Sequence, residues 1–308
     1  MRRKVNLGTR GSALALWQAE WVRGELARRR PDLDFGLVIV KTRGDRIKEV
    51  GPAGIGEQGL FVKELEEALL AGEIDLAVHS MKDVPVATAP GLVIGAVTER
   101  ADPRDVLVSA GGVTLTGLPR GARLGTSSLR RKAQLWHFRP DLILEDLRGN
   151  VPTRLARMRE RGLDGIIVAA AGLERLNLAG HITQYLPYSV CLPAAGQGAI
   201  GLEVRQDDEQ MLALAALVNH PPTAAAVTAE RALLGALQAG CRLPVAAFGR
   251  LSDTVLHLEG LIASPDGKTV IRSSLSGSPG EARAIGRALA EELLHLGGEE
   301  ILRQVRQP

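Results

Sequence analysis

The sequence predicts two like α/β domains, each on a largely parallel sheet covered by helices, and a small α+β domain after them. Three observations carry this. Strand-like and helix-like runs alternate through the first two thirds of the chain. The strand-to-helix turn Leu7-Gly8-Thr9-Arg10-Gly11-Ser12 recurs as Leu124-Gly125-Thr126-Ser127-Ser128, with Gly, Thr and a capping Ser at matching offsets. After residue 244 the pattern changes to consecutive strands joined by tight turns such as Pro265-Asp266-Gly267, which reads as an antiparallel sheet.

A strand over 4–7 runs into the first of those turns, and helical spacing of Leu16, Trp17, Ala19, Trp21 and Leu26 predicts a helix over 13–29, capped by Ser12 and stopped by Pro31. A buried strand follows over 35–40. Residues 42–59 are Gly-rich and charged without periodicity, the pattern of a long loop or lid. A helix over 60–71, a strand over 75–79, the turn Ser80-Met81-Lys82-Asp83-Val84-Pro85 and a strand over 92–97 complete the first series. A polar bridge over 98–103 leads to strands at 106–108, 123–125, 142–147 and 165–169, with helices over 129–138 and 152–161 between them. A strand over 200–204 is expected to return to the first domain. Helices over 209–218 and 223–239 flank the Pro221-Pro222 break, and strands at 245–250, 254–262 and 268–274 precede a closing helix over 281–296. The expected domains are residues 1–98 with 199–216, residues 103–193 and residues 220–308.

The chain has 308 residues, 45% hydrophobic and 24% charged, with net charge +3. That composition excludes a disordered chain and a disulfide scaffold. Two cysteines, Cys191 and Cys241, form no CxxC or Cys/His cluster, so no metal is expected and a reducing compartment is. With no signal-like or spanning apolar run, a cytoplasmic protein is expected, without a membrane partner. Aromatics at 3% and a charge near neutrality speak against a nucleic-acid binder. The unusual quantity is arginine, 31 of the 38 basic residues. Either it is a compositional bias or it serves recognition of a multiply charged anion, for which the planar guanidinium is suited.

Position bears on that choice. Arg10, Arg130, Arg131, Arg148 and Arg154 fall at turns after strands, where α/β sheets bind ligands, and both recurring turns aim a helix N-terminus the same way. No Walker A loop or GxGxxG fingerprint is present. Lys82 and Asp83 close a strand as a cation and a carboxylate, the pattern of a general acid/base with a charged neighbour and equally of a surface turn. Cys241 lies beside Arg242, which favours a reactive thiolate, while cysteines in general are buried and inert.

In chain order, eight segments resemble the porphobilinogen deaminase (hydroxymethylbilane synthase) family across essentially the whole length. They are Gly8-Thr9-Arg10-Gly11-Ser12 with Leu14-Ala15-Leu16-Trp17-Gln18, Gly59-Leu60-Phe61-Val62-Lys63-Glu64-Leu65-Glu66, His79-Ser80-Met81-Lys82-Asp83-Val84-Pro85, Gly125-Thr126-Ser127-Ser128-Leu129-Arg130-Arg131, Leu147-Arg148-Gly149-Asn150-Val151, residues 192–198, Ala229-Glu230-Arg231 and Gly240-Cys241. The resemblance implies two domains like type-II periplasmic binding proteins and a third domain holding the cysteine. It implies a transferase that condenses four porphobilinogen molecules head to tail, releasing ammonia and 1-hydroxymethylbilane, on a dipyrromethane cofactor in thioether linkage to Cys241. By the same resemblance Asp83 is the catalytic carboxylate. Lys82, Thr126, Ser128, Arg130, Arg131, Arg148 and Gly149 would hold the cofactor, and Arg10, Ser12, Arg148, Arg154, Arg175 and Gln197 the substrate. A monomer is implied.

Such a use fits the arginines, because each pyrrole ring of the growing chain carries two carboxylates that only paired cations hold in a cleft. Two positions depart from the family pattern: Gln58 stands where lysine is usual, and Arg242 where a neutral residue is expected. Two rival readings are a two-lobed anion-binding or effector-sensing module without catalysis, and a transferase of phosphate ligands.

Overall fold

The computed structural model describes residues 4–41, 62–238 and 243–306. The loop expected over 42–59, Gln58, Gly240, Cys241 and Arg242 lie outside the described residues. Contacts divide the chain into two compact units, Met1–Arg100 with Ala199–Ala224, and Ala101–Gly198 with Ala225–Pro308.

The first unit is a five-stranded sheet of β1 (Lys4–Thr9), β2 (Asp34–Ile39), β3 (Leu76–Ser80), β4 (Leu92–Val97) and β10 (Ile200–Arg205), in the order β2-β1-β3-β10-β4. β1 runs parallel to β2 and β3, whereas β10 is antiparallel to both β3 and β4. Alternation along the strands explains both faces. Leu76, Val78, Leu202 and Val204 point into one core with Ala19, Val22 and Leu26 of helix Ala13–Arg29 and Met211 and Leu214 of helix Glu209–Ala216. Ala77 faces the other way, into a core with Leu65 and Leu69 of helix Lys63–Leu70. Trp17, on the apolar stripe read from the sequence, is 37% exposed.

In the second unit β5 (Asp105–Ser109), β6 (Arg123–Gly125), β7 (Ile143–Glu145), β8 (Gly165–Ala169) and β9 (Gln184–Tyr185) take the order β7-β6-β8-β5-β9. Again the fourth strand, β5, is antiparallel to both neighbours. The two sheets therefore share one topology, as the recurring turn suggested. The third sheet is antiparallel, β11 (Val245–Ser252), β12 (Val255–Ala263) and β13 (Val270–Gly277), covered by helices Pro221–Ala236 and Ala282–Leu293. The described strands form three sheets, and the second and third sheets fall in one compact unit. Ala133 and Leu192 share a core with Ala246, Phe248, Leu261 and Ala263, and His137 Nδ1 lies 3.1 Å from Gly267 O.

Three local expectations are corrected. The Pro221-Pro222 pair opens a helix instead of breaking the chain, since proline is tolerated in a helix's first turn, where N–H groups lack intrahelical partners. The closing helix ends at Leu293, and Gly297, at φ 108, separates it from a last helix, Glu299–Arg306, that the sequence reading lacked. The strand expected over 142–147 is only Ile143–Glu145. Among the described residues no helix is long and apolar enough to cross a membrane, and no cluster of His, Cys, Asp or Glu is arranged to hold a metal ion.

Candidate active site

In the first unit the strand ends supply the candidate residues. β1 ends at Thr9, and Ser12 caps the following helix, its Oγ accepting from the Ala15 N–H at 3.3 Å. Arg10 lies half-buried between them. β3 ends at Ser80, which exchanges hydrogen bonds with the Gln18 side chain at 2.9 and 3.1 Å. A single 3-10 turn, Met81–Asp83, follows. Met81 and Val84 are buried while Lys82 and Asp83 between them are exposed. The Met81 N–H donates to Ala199 O at 3.0 Å, so a buried methionine and a backbone bond seat a turn whose two charged side chains face solvent.

In the second unit, Thr126 is buried and its hydroxyl accepts from the Ser128 N–H at 3.3 Å. Ser128 caps helix Leu129–Phe138, accepting from the Arg131 N–H at 3.4 Å. Ser127 Oγ, between them, is a buried polar atom with no hydrogen-bond partner among the described residues. The second turn is Arg148-Gly149-Asn150, with Asn150 capping helix Val151–Glu160. Gly149 has φ 118, and a Cβ there would meet Thr153 Cγ2 at 2.8 Å, so only glycine fits. Its carbonyl accepts from Arg154 Nε at 2.7 Å, which fixes the half-buried Arg154 beside the exposed Arg148.

Arg130 and Arg131, which the resemblance places among the cofactor-holding residues, are buried. Both are 6% exposed and turn inward onto Asp105, which is fully buried at the start of β5. Arg130 Nη1 donates to Asp105 Oδ2 at 2.7 Å and to Leu192 O at 2.6 Å. Arg131 donates to Asp105 Oδ1 from Nη2 at 2.6 Å and to Ile167 O from Nη1 at 3.0 Å. Gln197 Nε2 reaches the same carboxylate at 2.9 Å and Pro103 O at 2.7 Å. Burial by itself would raise the Asp105 pKa, but the two guanidiniums outweigh it and hold the carboxyl far below the usual range. Arg175, 9% exposed, donates from Nη2 to Gly198 O at 2.7 Å, and burial lowers its pKa to about 10.

Of the expected set, the first unit holds Arg10, Ser12, Lys82 and Asp83, and the second holds Thr126, Ser128, Arg130, Arg131, Arg148, Gly149, Arg154, Arg175 and Gln197. Asp105 was missed by sequence reasoning. Its signal was an acidic residue directly before the apolar run Val106-Leu107-Val108, a place where a carboxylate needs internal partners. Glu230 lies in the segment Ala229-Glu230-Arg231. It is fully buried, its two oxygens accepting from the Gly196 and Gly249 N–H groups at 2.6 and 2.7 Å.

Two family models match. Residues 5–213 match the porphobilinogen deaminase dipyromethane cofactor binding domain, and residues 224–295 the porphobilinogen deaminase C-terminal domain. Among curated proteins, the porphobilinogen deaminase of Moorella thermoacetica is 56% identical over 98% of this chain and 97% of its own. That of Geobacter metallireducens is 51% identical over 99% and 96%, and that of Pelotomaculum thermopropionicum 51% identical over 100% and 98%. Among solved structures, the periplasmic sulphonate-binding protein SsuA of Escherichia coli aligns at 15% identity and TM-score 0.41, over 77% of this chain and 71% of its own.

Proposed function

The chain belongs to the porphobilinogen deaminase family, and on that premise we propose how its residues divide the family's reaction. The activity is the condensation of four porphobilinogen molecules on a dipyrromethane primer, with loss of four ammonia molecules, and hydrolytic release of 1-hydroxymethylbilane by one water. A non-catalytic anion-binding module is not favoured by a chain 56% identical to such an enzyme over nearly its full length.

The observation that carries the catalytic assignment is the seated turn Met81–Asp83, which exposes one carboxylate at the carboxyl end of β3. Asp83 is the acid/base. It gives the departing amine its proton and takes up the one that the attacking α-carbon of the growing chain loses once the new carbon–carbon bond has formed. Lys82 beside it would hold the cofactor, and Arg10 and Ser12 would bind carboxylates of the substrate.

The donor set of the second unit fits a polycarboxylate cofactor. Ser127 Oγ is buried without a hydrogen-bond partner among the described residues, two helix N-termini open at Ser128 and Asn150, and Arg148 and Arg154 stand at the second. Thr126, Ser128, Arg148 and Gly149 would hold the cofactor, with those donors of Arg130 and Arg131 that Asp105 does not use. Arg148, Arg154, Arg175 and Gln197 would meet the substrate. Bound dipyrromethane supplies the free α-position from which the pyrrole chain grows. Of the two cysteines, Cys191 is buried and its thiol is pushed up to about 12, first by burial and then by Asp105. An inert thiol at 191 leaves Cys241 for the thioether.

The same reading keeps three domains, one to each sheet, in a monomeric cytoplasmic enzyme with no nucleic-acid or membrane partner. The test is direct. Purified protein should weigh two linked pyrroles more than its sequence and release ammonia from porphobilinogen; a chain that releases none sinks the proposal.

A further inference from the structure

The carboxylate of Glu230 is buried and carries none of the roles assigned to the residues above. It lies on helix Pro221–Ala236, fully buried, and its oxygens take the N–H of Gly196 at 2.6 Å and of Gly249 at 2.7 Å. The two glycines come from separate parts of the second unit. Gly249 is in β11, an edge strand of its sheet, and helix 221–236 packs so closely there that a Cβ would lie 3.0 Å from Ala226 O. Gly196 has φ 71 and begins a loop whose next two residues are each tied to a different partner. Gln197 Nε2 donates to Asp105 and Pro103 O, at 2.9 and 2.7 Å, and Gly198 O accepts from Arg175 at 2.7 Å.

We propose that Glu230 is a positioning residue for substrate binding, setting loop 196–198 and through it the placement of Gln197 and Arg175. A carboxylate suits the task because both of its oxygens accept, so the helix holds the loop and the sheet edge with one side chain. An amide in its place offers only one oxygen and turns an NH2 toward the other glycine's N–H, leaving a buried donor without an acceptor. Gln197 also reaches Asp105, where Arg130 and Arg131 are held, so a shift of this loop reaches both arginines. The inference rests on the reading that Arg175 and Gln197 meet the substrate.

The test compares Glu230→Gln, Glu230→Asp and Arg175→Leu in the full, cofactor-loaded chain. Glu230→Gln is expected to raise KM for porphobilinogen roughly tenfold or more, the factor that an unsatisfied buried donor carries, with a smaller change in kcat. Glu230→Asp, which keeps two acceptor oxygens, should recover part of that loss. Hydrogen exchange should quicken in peptides covering 192–199 and 245–250 while those of β12 and β13 keep their protection. Faster exchange throughout the unit with KM unchanged in the folded fraction would mean a merely structural carboxylate and overturn the inference. Should Glu230→Gln not fold, Glu230→Asp carries the same comparison: raised KM with locally quickened exchange supports the inference, unchanged KM overturns it. If Arg175→Leu leaves KM unchanged, the site reading itself fails; if it raises KM and both Glu230 variants do not, only the role of Glu230 falls.

Discussion

The thiol of Cys191 donates to Asp105 Oδ2 at 3.3 Å, and neither residue has any exposed surface. A thiol so placed keeps its proton at neutral pH, because an anion beside a buried carboxylate costs more than either alone. Alkylating reagents should therefore leave Cys191 of the folded protein unlabelled. Cys191→Ser keeps an O–H for Asp105 and should load cofactor like the parent, at a stability cost of about 1 kcal/mol. Cys241→Ser should show the bare sequence mass. Intact-mass spectrometry reads both, and a bare Cys191→Ser protein would reverse the assignment.

Asp105→Asn should be among the most damaging single changes outside the proposed acid/base. It leaves Arg130 and Arg131, both 6% exposed, without their anion, and removing one partner of a buried pair costs about 3–5 kcal/mol. Denaturant unfolding would show it. The same carboxylate gives the parent a pH signature. Its pKa in the folded chain lies below the unfolded value of about 3.9, so its stabilisation is complete above that value and is lost as pH falls below it. Over that acid window Asp105→Asn should lose less stability than the parent; parallel curves would remove Asp105 from this role.

What was legible in the sequence was local. Helix Leu129–Phe138 has the bounds read from its pattern, because Ser128 caps it and its apolar periodicity is confined to one segment. The Lys82–Asp83 turn was equally readable from a strand that stops beside a proline. The direction of Arg130 and Arg131 was not, since it is decided by Asp105, 25 and 26 residues earlier in the chain. Every arginine after a strand looks alike until its anion is found. Helix Glu299–Arg306 was hidden by Gly297-Gly298, which reads as a stop and is in fact a kink between two helices.

Asp83→Asn removes the proton carrier and leaves the seat intact, because Met81 and Ala199 O hold the turn without the carboxylate. The variant should fold and load cofactor, with ammonia release slowed by about 10²–10⁴-fold, the range for a lost general acid/base. Melting temperature should stay within a few degrees of the parent, roughly what a surface change within ±0.5 kcal/mol allows. Near-normal ammonia release would take Asp83 out of the mechanism.

Arg148 tests whether arginine position, and not arginine number, serves the polycarboxylate. It is exposed at a turn whose glycine admits no other residue, whereas Arg28 is an exposed charge on helix Ala13–Arg29 paired with Glu25. A charge-assisted hydrogen bond to a carboxylate is worth about 1.5–3 kcal/mol, so Arg148→Leu should weaken retention of the pyrrole chain by roughly tenfold to a hundredfold. Arg28→Leu should change neither stability nor product by a measurable amount, since surface pairs are worth about 0–1 kcal/mol. With limiting porphobilinogen, intact masses of Arg148→Leu should show failed loading or accumulation at one intermediate length. A product distribution like that of Arg28→Leu would return the arginine surplus to composition.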